Sequence, residues 1–470
     1  MRILLPTGAA TEAIVRAAAQ GFDADVVVTG EIASFLTPHH LYKLIKKGQY
    51  DMAIVSGMCT ASFAQVERAT GVPVYRGPRH AADLALVLPL RKTITLSRTV
   101  PADEFLAGKK AKQAYILIDA MEREASSDYL IRGLKIGGTS RMKVLAEIMD
   151  AHRREDIREE VERSFASGAD ILDLGFGFDA TPDDALRVFD AAGDIDRPLA
   201  IDTQDPDLIR AALGRVDLVL SLQSKNIPLV GKEVAKAGAA AVVVPDKHTL
   251  SYNINLAKKA GIQCIIADPL LQPAGSGLSD SLKRFRKSTF PLFFGAGNVV
   301  ELLDADSIGA NALLAGLAME AGASVIFTSE HSDKTQGSIR EMRRATEMMA
   351  LSRDRPYPKD LGIDLLVLKE KRRRREPPVE YDILIMAKPM PAVIEYDPKG
   401  NFRIGIEGNT IIAVINGRAV RGKHWQDVFY TIAKNGDVTL LDHAAYLGRE
   451  LYKAELAIRY GRSFEQDGEF

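Results

Sequence analysis

Along residues 1–100, short apolar runs alternate with segments whose apolar positions recur at helical spacing. The runs MRILLP, ADVVVTG, DMAIVSG and VPVYRG each close on Gly or Pro, while ATEAIVRAAAQ and PHHLYKLIKK read as amphipathic helices. Alternation on so short a period predicts a parallel sheet with crossover helices. Residues 1–128 are therefore expected to form a Rossmann-like, doubly wound α/β domain, with a connecting helix within residues 101–130.

From Leu134 the alternation resumes and runs eight times: LKIGG, DILDLG, PLAID, LVLSLQ, AVVVP, QCIIAD, PLFFGAG and SVIFTS. Helical segments follow the strands, the first a long one from Val144 to Ala166 and the last GSIREMRRATEMMALSR. Most of these strands are continuous apolar runs, as expected of strands covered on both faces. Eight such units predict a closed (β/α)8 TIM barrel over residues 129–358. Residues 359–380 read as a basic linker, with the run Lys369–Arg375 ending in two prolines. In residues 381–470 the strand patterns DILIMAK, FRIGIEG and TIIAVING precede two helices, HWQDVFYTIAKNG and DHAAYLGRELYKAELAIRYG, which predicts a small α+β domain.

Composition changes this picture little. Hydrophobic content of 46% with 26% charged residues is that of a water-soluble globular chain. A net charge of −1 gives no bias towards nucleic acid or anionic membrane, and no run is long enough to span a bilayer. The start MRILLPTG lacks a signal-peptide pattern, and Cys59 and Cys264 are the only cysteines, so a reducing cytoplasm is expected.

Function on such a barrel sits where strands end. The last polar residues of the predicted strands are Asp173, Asp202, Gln223, Asp246, Asp268, Asn298 and Glu330. Asp246, beside Lys247, reads as a helix cap. Asp173, Asp202 and Asp268 each end an apolar run, where a carboxylate is costly without donors to satisfy it. Two ligand classes answer three convergent carboxylates: a divalent cation, or a molecule rich in N–H donors such as a reduced pterin. With His248 and His331 at most on the rim and no HxH or HExxH spacing, no transition metal is expected, while magnesium stays open.

The segments GADILDLGFGFD, PLAIDTQDPDLI and CIIADPLLQPAGSG resemble the pterin-binding barrels of dihydropteroate synthase and of methyltetrahydrofolate-dependent methyltransferases. With GAGNVVELLDADSIGANALL and IFTSEHSDKTQGSIREM, the whole chain resembles the dihydropteroate synthase-related proteins of organisms that use tetrahydromethanopterin. The resemblance implies a tetrahydromethanopterin-type reduced pterin as ligand. It makes Asp202 and Asp268 the residues that hold the pterin edge and Asp173 an acidic group at the floor of the cup. Gln223, or Ser221, falls on the fourth-strand position. Asn298 falls where an asparagine faces the pterin N5, and His331 retains the eighth-strand histidine of the synthases.

Departures from the synthase pattern bear on the reaction. The seventh strand reads GAGNV with no lysine, and the eighth, FTSEHSD, has no arginine. Arg141 and Lys334 are the nearby cations left to meet a departing pyrophosphate. KIGGTSRMK, read as the first strand, lacks Asn-Val-Thr. Asn298 and DPLLQP tilt the expectation towards pterin-dependent methyl transfer, with pterin–arylamine condensation and a non-catalytic pterin carrier as alternatives. The C-terminal DHAAYLGRELYKAELAIRYGRSFEQD resembles the C-terminal segment of the corrinoid-carrying subunit of tetrahydromethanopterin S-methyltransferase, which implies a corrinoid or methyl-acceptor protein as partner and is compatible with a homo-oligomer. His443 would be its simplest cobalamin ligand, against the plainer reading of Asp442 as N-cap with His443 in the first turn. In the N-terminal domain, Gly8 marks a strand-to-helix turn, and Glu31, Thr37, His39 and His40 lie in one polar loop.

Overall fold

The computed structural model describes every residue except 92–94, 286–287, 356, 370–380, 390–394 and 469–470. The basic run Lys369–Arg375 therefore falls, beyond its first residue, outside the described residues. The chain divides into two compact units, Met1–Ser329 with Gly337–Leu365, and Glu330–Gln336 with Leu366–Phe470.

The first unit opens with β1 (Ile3–Thr7), β2 (Ala24–Val28), β3 (Met52–Val55) and β4 (Val74–Arg76), all parallel in the order β2-β1-β3-β4. Alternate residues of β1 feed two cores: Ile3 and Leu5 pack with Val15 and Leu84, and Leu4 packs with Leu41 and Val55. A sheet buried on both faces explains why these strands read as unbroken apolar runs. Thr37, from the polar loop, is the N-cap of the helix Pro38–Lys47 and accepts the His40 N–H at 3.2 Å.

A helix over Ala107–Glu124 leads to the antiparallel pair β5 (Tyr129–Ile131) and β6 (Leu134–Ile136). Here the structure corrects the sequence reading. LKIGG is not a barrel strand: Ile131 and Ile136 are buried in the barrel's inner core with Leu145, Ile171 and Val325. The first barrel strand is instead β7 (Lys143–Ile148), inside what reads as the start of a long helix, and that helix begins only at Ile157. A six-residue run such as KVLAEI fits either period, and its parallel pairing with Ile171–Gly175 on one side and Ala323–Ser329 on the other decides it.

β8 (Ile171–Gly175), β9 (Leu199–Asp202), β10 (Leu218–Leu222), β11 (Ala240–Val243), β12 (Ile265–Ala267), β13 (Leu292–Phe294) and β14 (Ala323–Ser329) complete a closed barrel of eight parallel strands. The fold is the (β/α)8 barrel that the alternation predicts, flanked by a doubly wound sheet and a C-terminal α+β unit. Inward residues Leu145, Ile171, Ala200, Leu218, Val242, Ile266, Phe293 and Val325 form an apolar interior, and outward residues pack under the helices.

The second unit carries the antiparallel sheet β15 (Arg403–Glu407), β16 (Thr410–Ile415) and β17 (Arg418–Gly422), covered by helices Trp425–Lys434 and Leu441–Tyr460. β17, RAVRG, has Val420 as its one larger apolar residue, flanked by Ala419 and two arginines, so apolar alternation does not mark it. DILIMAK is no strand: its residues have no regular structure, and Ile383, Leu384, Ile385 and Met386 are exposed.

Candidate functional site

Side chains alternate along a strand, so the inward residues of the apolar layer fix what stands one step higher. Two positions beyond Leu145, Ile171, Ala200 and Ile266 come Glu147, Asp173, Asp202 and Asp268. Glu147 pairs laterally with Asp173 across β7 and β8, and Asp202 is level with Gly175 across β8 and β9. Three adjacent strands thus converge three carboxyl groups, whose nearest oxygens lie within 4.8 Å of one another. β12 stands opposite β8 in the ring, so Asp268 rises from the far wall of the same mouth.

Asp173 is wholly buried, and neither of its oxygens meets a hydrogen-bond partner. Burial, then the neighbouring Asp202 and Glu147 charges, push its carboxyl well above the usual range. Burial and the charges of Asp202, Asp150 and Glu301 push Glu147 up to about 8. Burial alone lifts Asp202 to about 6. Burial also lifts Asp268 to about 7, although its Oδ1 accepts the Leu270 N–H at 2.7 Å. Like charges sharing a desolvated site cannot all ionise, so the cluster holds protons at neutral pH. Among the described residues none of the four carboxylates has an ion-pair partner. Ser329, level with Glu147 on β14, adds a buried hydroxyl without a partner. Gly175 makes room for the group: a Cβ there would stand 2.7 Å from Glu147 Oε1.

The other sequence-named residues are placed differently. Gln223 is buried just past β10, its amide donating to Gln204 Oε1 at 2.8 Å and its backbone N–H to Asn226 Oδ1 at 2.8 Å. Asn298 is exposed on the helix Ala296–Glu301 that follows β13, at the same rim. His331 is exposed within Glu330–Gln336, a segment of the second unit. Asp246 is not the cap expected of it; Thr249 is. Asp246 instead accepts from Ser224 Oγ, the His248 N–H and Asn253 Nδ2, which outweigh burial and hold it at about 2. Arg141 belongs to the other end of the barrel. It forks onto both Asp170 oxygens at 2.8 and 2.9 Å before β7 and β8 begin, so it is no candidate for a leaving group.

In the second unit, His443 Nδ1 lies 3.1 Å from Asp397 Oδ2, and the residue is nearly buried. Asp397 also accepts the Thr439 and Leu440 N–H groups, so the start of the helix Leu441–Tyr460 is held from a distance. Asp442 lies in the first turn, and Leu440 is the N-cap.

Glu147 is the carboxylate of the cluster that the sequence reading does not name. Its signal was available: one carboxylate interrupts the apolar run MKVLAEIM, as Asp173 interrupts ILDLG.

The family model PterinBD-DUF4346 matches residues 396–467. The "Uncharacterized protein MJ0107" of Methanocaldococcus jannaschii is 33% identical, over 99% of this chain and 98% of that protein. Among solved structures, the Yersinia pestis dihydropteroate synthase is 19% identical with a TM-score of 0.39, covering 49% of this chain and 100% of its own. That of Thermus thermophilus is 19% identical with a TM-score of 0.38, covering 46% and 96%. Among the described residues, no helix is long and apolar enough to cross a membrane.

Proposed function

The chain belongs to the family of protein MJ0107 of Methanocaldococcus jannaschii, and on that premise we propose that its barrel binds a reduced pterin as a dihydropteroate synthase-like transferase of tetrahydromethanopterin-type one-carbon metabolism, in the cytoplasm. One observation carries the reading: both oxygens of the buried Asp173 lack a donor. A buried carboxyl group without a partner calls for a ligand N–H or a shared proton. A pterin presents ring and exocyclic N–H groups along one edge, which suits Asp173, Asp202 and Asp268, with Gln223 at the rim. The exposed Phe178 ring, on the loop after β8, supplies a stacking surface without an evident packing role.

We favour methyl transfer as the reaction. A methylated reduced pterin supplies its N5 methyl group, and N5 leaves only as it gains a proton or hydrogen bond. Asn298 is assigned that hydrogen bond, and Glu147, proton-bearing at neutral pH, is the acid of the site. His331 keeps the catalytic role that the resemblance gives it, to be tested by His331→Ala in the same assay. A corrinoid is assigned to a methyl-accepting partner protein; Asp397 engages only Nδ1 of His443, which does not by itself remove this histidine as a ligand.

Condensation of a pterin pyrophosphate with an arylamine is the second reading. It is favoured by Lys225 and Lys247, exposed just beyond β10 and β11, where cations could meet the leaving pyrophosphate. A titration with methyltetrahydromethanopterin, methyltetrahydrofolate and dihydropteridine pyrophosphate, followed by assays of methyl loss and pyrophosphate release, separates the readings. Binding of a methylated pterin that survives EDTA, with methyl loss slowed by Asn298→Ala, is the expected result. Brisk pyrophosphate release indifferent to Asn298→Ala assigns condensation. Pterin binding without turnover on any substrate assigns a carrier, and binding abolished by EDTA assigns the carboxylates to a divalent cation.

A further inference from the structure

The N-terminal sheet has a cleft of its own. In the order β2-β1-β3-β4 the chain leaves β1 for β2 on one side and returns to β3 on the other. The loops leaving β1 and β3 therefore diverge and open a crevice at the carboxyl ends of the strands. A cleft of about 240 Å³ lies there, between Thr7 at the end of β1, Thr11 after it, Glu31 after β2, Ser56 after β3 and Arg79 after β4. Its walls are apolar, from Pro6, Val15, Ile32, Ile54 and Leu84.

Three features define what fits. First, the turn after β1 holds no phosphate cradle. A Cβ on Gly8 would stand 2.5 Å from Glu31 O and 2.7 Å from Ala33 N, so the space over Gly8 is filled by the loop after β2. Glu12, in the first turn of the following helix, already sets a carboxylate, paired with Arg16 at 2.8 Å, at the positive end that a phosphate would seek. Second, the cation of the cleft is spent: Arg79 bridges to Asp103 at 2.7 Å and also to Glu104. Third, Glu31 is exposed and forms no ion pair among the described residues. It follows β2 by a few residues, the place from which doubly wound folds direct a carboxylate at ribose hydroxyls.

We propose that this cleft is a second ligand site, for an uncharged ribonucleoside-class molecule: a flat aromatic base on a sugar with a vicinal diol and no phosphate. The volume is below the roughly 300–1,000 Å³ of drug-sized pockets, which excludes a dinucleotide. The ring lies between the apolar walls, and the diol donates to Glu31 with Thr11 and Ser56 completing the polar contacts. The site is independent of the pterin reading of the barrel.

Adenosine and its 5′-monophosphate are the probes, titrated calorimetrically into the full-length chain. Adenosine should bind once per chain, and the monophosphate at least tenfold more weakly. Glu31→Gln should weaken adenosine at least tenfold, and Ala10→Trp, at an exposed position on the cleft wall, should abolish binding. Asp268→Asn in the barrel should leave adenosine affinity unchanged. No heat with millimolar adenosine, equal or tighter monophosphate binding, unchanged binding in either cleft variant, or loss in Asp268→Asn would each overturn the proposal.

Discussion

The two ends of the barrel treat buried charge in opposite ways. At the amino ends of the strands, Asp170 is gripped by Arg141 at 2.8 Å and Arg343 at 2.9 Å, with the Val144 N–H at 2.8 Å. Lys143, fully buried, meets Glu122 at 2.7 Å. Every buried charge there has an opposite partner, and Asp170 is held below its ordinary range although burial opposes its ionisation. At the carboxyl ends, Glu147, Asp173 and Asp202 crowd together with Asp268 on the far wall, none of them in an ion pair among the described residues, and all four are raised. On β7 alone the inward side chains run Lys143, Leu145, Glu147: paired charge, apolar layer, unpaired charge. One end is built for stability, and the other retains polar groups that the fold itself does not satisfy.

The sharpest break of this contrast is Asp170→Ala. Removing one member of a buried ion network leaves Arg141 uncompensated, and about 3–5 kcal/mol of stability should be lost. Urea unfolding measures it, and a loss below about 1 kcal/mol would mean that the amino end does not hold the barrel together.

At the carboxyl end the cost should fall on binding. Asp268→Asn replaces a carboxylate acceptor by one acceptor and a donor, and pterin affinity should drop by about 2–4 kcal/mol while the unfolding midpoint should not fall. Equal affinity in calorimetry would remove Asp268 from the site.

Asp173→Asn should instead stabilise, by about 1–3 kcal/mol at pH 8, because it removes a buried carboxyl group that must take up a proton on folding. The sign follows from linkage. A carboxyl raised in the folded state binds its proton there while the unfolded chain has lost it, so stability falls as pH rises. For this end the fall should run from about pH 4 through the values near 6, 7 and 8 of Asp202, Asp268 and Glu147. Asp170 is depressed, so its contribution is present above the unfolded carboxyl range and is lost as pH falls through its folded value. The gain from Asp173→Asn should therefore vanish near pH 4, and unfolding midpoints from pH 4 to 8.5 would show whether it does.

The smallest effect expected is that of Gly175→Ala. The added Cβ would stand 2.7 Å from Glu147 Oε1, so the carboxyl must shift, at about 1 kcal/mol of pterin affinity with the fold intact. An unchanged affinity would show that the position of Glu147 is not set by this contact.

Much of this was legible in the chain. Continuous apolar runs at a regular interval indicate strands covered on both faces, and ILDLG, LAID and IIAD betray carboxylates where such runs end. Glu147 was hidden because KVLAEI is short and runs into the charged helix Ile157–Ser167, so the helical period absorbed it. LKIGG was misplaced because a buried hairpin strand and a barrel strand share the same apolar signature.

The sequence by itself determined the class of the fold and the chemistry at several strand ends, because periodicity and residue type are local properties. Only the tertiary structure decided which carboxylates crowd together and which meet an arginine. Asp170 and Asp173 lie three residues apart on one strand and its approach, yet they reach opposite electrostatic ends. Asp170 meets Arg141 and Arg343, the latter from a helix more than a hundred residues away, while Asp173 meets Glu147 and Asp202. The charge state of a carboxyl group depends on distances and desolvation, and those exist only once the ring of strands has closed.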